Sequence, residues 1–132
     1  MILIIEQVGR EWNLRHPNGP RISINDISLK CGGYFDWTQP SPGHHSSHQA
    51  GRDADLRYVR NDGTESNYTF NLNPPHPPGY SQGLTQDLIN LFCEAGVTTI
   101  YADNDANLQQ PSGCTITDPG GHQNHIHIKI SP

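Results

Sequence analysis

Two separated groups of histidine and aspartate residues constrain this chain more than any other feature of its sequence. The first group runs from His45 to Asp55, and the second runs from His122 to His127. Neutral imidazole and carboxylate are ligand types that suit Zn²⁺, and a catalytic zinc takes three protein ligands and keeps one position open for water. His48, Asp55 and His127 form the candidate ligand set, so the fold must bring the two groups together.

Local alternation predicts that both groups lie on β-strands. Residues 124–130 alternate polar and apolar side chains with the period of two that is typical of a half-buried strand. His125 and His127 would then share one face, while the isoleucines between them face a core. Asp53 and Asp55 alternate with apolar residues in the same way. Both carboxylates are therefore candidates for the metal at this point.

The remaining patterns predict an α+β fold. Apolar residues recur at helical spacing in two stretches, and β-branched residues alternate in others. The predicted elements are helices over 4–15 and 85–95, strands over 21–29 and 97–101, a strand that starts just after Gly51, and a long loop over 103–121. We expect a small, mainly antiparallel sheet that carries the metal site, two helices packed on it, and long loops that form a cleft.

Composition predicts a single domain over residues 1–132. Only 33% of the residues are hydrophobic, and 13 glycines and 11 prolines indicate extensive loops. A net charge of -5 without a Lys/Arg cluster argues against a nucleic-acid partner, because such surfaces gain affinity by neutralising several phosphates. No apolar run approaches the roughly 20 residues that span a bilayer, so we expect no membrane span. The oligomeric state is left open.

The three cysteines, Cys31, Cys93 and Cys114, allow at most one disulfide within the chain. The sequence does not select among the three pairs, and buried thiols are the alternative. Because no CxxC spacing is present, a cysteine-rich structural zinc site is not expected. The aromatic residues are more typical of packing than of a substrate groove, and none is assigned to the site.

The pattern HxxHxxGxxxD followed by HxxHxH resembles the penicillin-insensitive murein endopeptidases. These belong to a wider group of zinc peptidases that includes lysostaphin-type and D-Ala-D-Ala peptidases. The resemblance extends to Ile24–Ser28, Gly32–Gly33 and Gly43–Gln49, and it covers most of the chain in order. It implies a periplasmic or extracellular zinc peptidase that acts on peptidoglycan stem peptides. The implied reaction is hydrolysis of the amide that joins D-alanine to the side-chain amine of a neighbouring stem peptide.

The resemblance also implies a role for each residue of the motif. It makes His48, Asp55 and His127 the zinc ligands, and His125 the catalytic histidine beside the metal. His45 and His122 match two further histidines close to the metal, either as direct participants or as orienting residues. Related branches use a glutamate as base, but the last glutamate here is Glu94, which favours a histidine base.

For Asp53 and Gly51, which lie within the first half of the motif, two interpretations each stay open. Since the family spacing favours Asp55 as ligand, Asp53 is expected to bond either loop backbone or a ligand imidazole. Gly51 is expected either to adopt a positive φ or to allow a close approach to the site. The chain is shorter than the full-length murein endopeptidases and carries fewer cysteines, so substrate preference is left open.

A second hypothesis belongs to a different class. The hedgehog-like branch of this group suggests a non-catalytic zinc domain that keeps the pocket as a binding module. A binding module needs the metal only for shape and has less reason to keep His125 near a ligand. The sequence therefore favours the enzyme.

Overall fold

The computed structural model describes residues 1–27, 48, 51–64 and 76–131. Two helices lie within these residues, α1 over Ile2–Arg15 and α2 over Gln82–Glu94. Helix α1 buries Val8 and Trp12, which are one turn apart and therefore share a face. The Trp12 indole donates a hydrogen bond to the Pro20 carbonyl (2.7 Å), which fixes the chain that leaves the helix.

Helix α2 begins three residues before the predicted start at Thr85. The Ser81 hydroxyl caps it by accepting a hydrogen bond from the Leu84 amide, which satisfies a backbone donor that has no partner within the first turn. The helix ends at Glu94, and Gly96 follows with φ +98°. That left-handed conformation explains why a glycine terminates the pattern there.

Five strands form one sheet with the order β1-β2-β5-β3-β4. The strands are β1 over Ile24–Ile27, β2 over Asp53–Leu56, β3 over Thr99–Tyr101, β4 over Thr115–Thr117 and β5 over Ile126–Lys129. All neighbouring pairs are antiparallel except β3 and β4, which are parallel. The predicted α+β fold with a mainly antiparallel sheet and two helices is thus confirmed.

The prediction of one long loop over 103–121 is wrong in part. This stretch contains a short 3₁₀ helix over Asn104–Ala106 and the strand β4. Three residues are too few to show an alternating pattern between turn residues. The strand forms because its backbone pairs with β3, with Ile116 opposite Ile100, and that long-range pairing is invisible in the local sequence.

A continuous hydrophobic core covers one face of the sheet. The inward residues of the central strands are completely buried, with Leu56, Ile100, Ile126 and Ile128 at most 1% exposed, and Phe92 of α2 packs in the same cluster. Complete burial of such a side chain stabilises a fold by about 1.5–3 kcal/mol. The core therefore fixes which side chains of β2 and β5 point to the opposite face.

A disulfide joins Cys93 in the last turn of α2 to Cys114, which directly precedes β4. The two Cα atoms are 5.4 Å apart, within the usual range for a disulfide. This is one of the three pairings that the sequence allowed. Cys31 lies outside the described residues.

No helix in the described part of the chain is long and apolar enough to cross a bilayer.

Candidate metal centre

The register of the two central strands places Asp55 directly opposite His127. Because Ala54 and Leu56 point into the core, the neighbouring Asp55 faces the other side of the sheet, and His127 faces that side for the same reason. The His127 Nδ1 atom lies 2.8 Å from Asp55 Oδ1. Directly opposed residues have closely spaced Cβ atoms, so the sheet itself builds this contact between the two groups of the motif.

His48 completes the group from outside the sheet. Its Nε2 atom lies 3.3 Å from Asp55 Oδ2, and its ring meets the His127 ring edge-on at a centroid distance of 5.0 Å. The three residues are 4%, 7% and 5% exposed, and one potential ligand atom of each lies within 4.8 Å of the others. This buried group could hold a metal ion.

The donor set itself fits a metal ion. Two imidazole nitrogens from different segments converge on the same carboxylate, so a cation among them would meet three ligand atoms. Burying three such polar groups is unfavourable unless each is paired. In the protein alone they pair with each other, and a bound cation would pair with all three at once.

Asp53 lies on the same face of β2 as Asp55 but contacts the opposite edge of the His127 ring. Its Oδ1 atom lies 3.0 Å from His127 Nε2, and the residue is only 1% exposed. Metal-binding histidines commonly donate their second ring N–H to a carboxylate, which fixes the ring orientation. Of the two expected partners for Asp53, the structure shows the imidazole, that of the candidate ligand His127.

The contacts between these groups shift their protonation equilibria. Burial raises the pKa of Asp55, but the hydrogen bonds from His127 and His48 outweigh burial and hold it well below its ordinary value. The hydrogen bond to Asp55 raises the pKa of His48, with smaller contributions from Asp53 and Asp26. The carboxylate is therefore ionised at neutral pH and attracts cations.

His122 and His125 lie beside this group with their ring centroids 4.8 Å apart, and the His122 ring centroid is 6.3 Å from that of His127. The His122 Nδ1–H donates to the Gly120 carbonyl at 2.9 Å, because a carbonyl oxygen only accepts. This bond leaves Nε2 as the acceptor of the neutral ring. The His125 Nδ1 atom pairs with Asn124 Oδ1 at 2.8 Å.

Burial lowers the pKa of both His122 and His125. Both rings are therefore neutral at pH 7 and can accept a proton. The predicted strand over 124–130 is shorter in the structure, since β5 starts at Ile126. His125 thus precedes the strand, and its side chain turns toward His122.

Two other residues of the motif have different outcomes. His45 lies outside the described residues, so its expected catalytic role stays a prediction. Gly51 has φ +70°, and a Cβ atom added there would meet no atom of the described residues within 4 Å. The positive φ, which was one of the two expected reasons, accounts for this glycine.

Two tyrosines next to the site were not identified from the sequence. Tyr101 pairs with His127 in the register of β3 and β5, and the two rings stack at a centroid distance of 5.4 Å. Tyr58 contacts the backbone of His122. In the sequence, the position of Tyr101 at the end of a predicted strand is the one indication that it could lie near the site. The strand register is needed to show that it faces His127.

A comparison of the chain with known protein families gives no match, and neither does a comparison with curated proteins.

Proposed function

We propose that this protein is a zinc-dependent peptidase that hydrolyses peptide cross-links of bacterial peptidoglycan. The observation that carries the proposal is the buried group of His48, Asp55 and His127, with His122 and His125 beside it. A metal group with neutral histidines next to it favours hydrolysis over simple metal storage, because hydrolysis also needs a group that accepts a proton.

The donor set supports zinc as the metal. Two imidazoles and one carboxylate match the ligand number and type of catalytic zinc sites. His48 Nε2, the Asp55 carboxylate and His127 Nδ1 would hold it, while Asp53 holds the remaining nitrogen of His127. A zinc ion bound there would supply Lewis-acid chemistry by polarising the scissile carbonyl and lowering the pKa of water.

The residues beside the metal group would supply the proton transfer. A neutral His125 accepts the proton of the attacking water and returns it to the leaving amine. His122, with its Nε2 lone pair fixed by the Nδ1–H bond to Gly120, assists this transfer or stabilises the developing negative charge. A positioned general base typically contributes about a hundredfold to ten-thousandfold to the rate.

The substrate class rests on the resemblance of the two motif halves to murein endopeptidases. Their order and spacing agree with a hydrolase for the amide between D-alanine and a side-chain amine. The Cys93–Cys114 disulfide supports a periplasmic or extracellular location, since disulfides persist mainly in oxidising compartments.

The test is to incubate the zinc-loaded protein, beside a chelated control, with purified cross-linked peptidoglycan and to analyse the products by mass spectrometry. Metal-dependent conversion of muropeptide dimers to monomers is expected. His125→Ala should abolish turnover with unchanged zinc content. The matched control is His76→Ala, which removes an exposed histidine and should retain full activity.

The opposite result would favour the second class of function. If the protein binds zinc stoichiometrically but cleaves no cross-link, the proposal of a murein peptidase is wrong. Full turnover by His125→Ala would leave the peptidase in place but contradict the base assignment.

A further inference from the structure

Tyr58 is a buried phenol that connects three segments around the site. It lies three residues after Asp55 and is only 3% exposed. Its hydroxyl accepts a hydrogen bond from the Asp103 amide at 2.8 Å and donates one to the His122 carbonyl at 2.9 Å. We propose that Tyr58 is a positioning residue that holds His122 in place for catalysis, an inference that rests on the proposed peptidase function.

The Tyr58 hydroxyl acts both as a hydrogen-bond acceptor and as a hydrogen-bond donor. Burial raises the pKa of Tyr58 well above its ordinary value, so the hydroxyl keeps its proton and remains a donor to the His122 carbonyl at any physiological pH. A buried amide, such as that of Asp103, or a partly buried carbonyl, such as that of His122, is destabilising when it loses its partner. Tyr58 therefore fixes the distance between its two backbone partners.

One of these partners belongs to the segment that follows β3. Asp103 comes two residues after Tyr101, whose ring stacks on His127. Tyr58 itself follows β2, which carries Asp55. The hydroxyl thus ties the position of His122 to the two strands that place Asp55 and Tyr101.

The other partner sets the position of the His122 ring. Fixing the His122 carbonyl orients the backbone from which the ring projects toward His125 and His127. A second tie runs through the Asp118 carboxylate, which accepts hydrogen bonds from the Gly120 and Asn104 amides, but that tie is solvent-exposed. The two Asp118 hydrogen bonds are exposed, whereas the Asp103–Tyr58 hydrogen bond is buried and the Tyr58–His122 hydrogen bond is partly buried. Water therefore competes less with the connection through Tyr58.

The phenol acts through His122 rather than on a substrate. Its hydroxyl is occupied by two backbone groups, and its ring is packed in the core against Tyr80 at a centroid distance of 6.0 Å. A displacement of about 1 Å in a catalytic group can cost about a hundredfold in rate. Loss of this hydroxyl should therefore reduce turnover without removing a metal ligand.

The test compares Tyr58→Phe with Tyr80→Phe in the zinc-loaded protein. Tyr80 is a matched control because its hydroxyl also donates to a backbone carbonyl, that of Ala106, at 2.8 Å. On purified cross-linked peptidoglycan, Tyr58→Phe should lower kcat about tenfold to a hundredfold with unchanged KM and zinc content. Tyr80→Phe should stay within about twofold of the wild type.

A double-mutant cycle separates positioning from general stabilisation. Because Tyr58 acts through His122, adding Tyr58→Phe to His122→Ala should cause no further loss of kcat. Additive losses would overturn the proposal. Equal losses in Tyr58→Phe and Tyr80→Phe, or unfolding of Tyr58→Phe alone, would overturn it as well, since the role would then be purely structural.

A second readout does not depend on activity. Long-range ¹H–¹⁵N spectra of the imidazole rings should show the Nδ1–H form of His122 in the wild type and in Tyr80→Phe, and a mixture of forms in Tyr58→Phe. If the wild type is inactive, the proposed peptidase function is wrong, but the spectra still decide whether Tyr58 positions His122. Unchanged His122 signals in Tyr58→Phe would overturn the positioning role by themselves.

Discussion

The Asp53 carboxylate lies 3.0 Å from Nε2 of His127, on the edge of the ring opposite to Nδ1, which contacts Asp55. One strand thus supplies both a candidate ligand, Asp55, and the carboxylate that contacts a second candidate ligand, His127. The two-residue spacing between Asp53 and Asp55 makes this possible, because alternate residues of a strand share a face.

This arrangement predicts the effect of Asp53→Ala. The substitution removes the partner of His127 Nε2 but none of the three candidate ligands, and loss of such an orienting group typically weakens metal affinity about tenfold to a hundredfold. The measurement is zinc affinity by competition with a chromophoric chelator. Asp87→Ala, which removes an exposed carboxylate from α2, is the control and should leave the affinity unchanged. Unchanged affinity in Asp53→Ala would contradict the orienting role.

Metal removal should destabilise the protein because zinc binds the folded arrangement of His48, Asp55 and His127. With free zinc at about a thousand times its Kd, linkage adds about 4 kcal/mol to the free energy of unfolding. We expect the Tm to rise on adding zinc and to fall again with chelator. Asp55→Asn should lose most of this rise. If zinc raises the Tm of Asp55→Asn as much as that of the wild type, the metal binds elsewhere.

Local sequence patterns were sufficient to predict the faces of the site strands. In β5 the alternation correctly buried Ile126 and Ile128 and turned His127 the other way, and in β2 it put Asp53 and Asp55 on one face. These faces follow from the period of two, which is a property of each strand alone.

The register between strands could not be predicted in the same way. That Asp55 lies opposite His127, and that Tyr101 stacks on His127, depends on contacts between distant segments. The strand β4 and the hydrogen bonds of Tyr58 were missed for the same reason. Resemblance to a family suggested which residues meet, but the local pattern did not.

In the metal-free protein, the free energy of unfolding should decrease toward both acid and alkaline pH. Because folding lowers the pKa of Asp55, this residue stabilises the fold above its ordinary pKa of 3.8. That stabilisation is lost as the pH falls through the lower pKa of the folded state. The raised pKa of His48 means that its contribution is present below 6.5 and is lost as pH rises through its higher folded value. Stability from this pair is therefore greatest between these two ordinary values.

The measurement is urea unfolding of chelator-treated protein from about pH 3 to about pH 9. Asp26 and Asp53 also attract His48, so Asp55→Asn should weaken the alkaline loss without abolishing it, and it should remove the part of the acid loss that Asp55 causes. An identical pH profile in wild type and Asp55→Asn would show that this pair does not contribute to the stability of the metal-free fold.

Reduction of the Cys93–Cys114 disulfide should destabilise the protein without changing the metal group. The disulfide closes a loop with a sequence separation of 21 residues, and a loop of this size corresponds to about 3 kcal/mol in the chain-entropy account. We expect a reductant to lower the urea midpoint of the wild type, while the Cys93→Ser/Cys114→Ser double variant starts low and does not respond. The zinc affinity of the folded double variant should equal that of the wild type. The disulfide joins α2 to the segment before β4, whereas the candidate ligands lie on other segments. If a reductant lowers the urea midpoint of the wild type and of the double variant equally, its effect does not act through this disulfide.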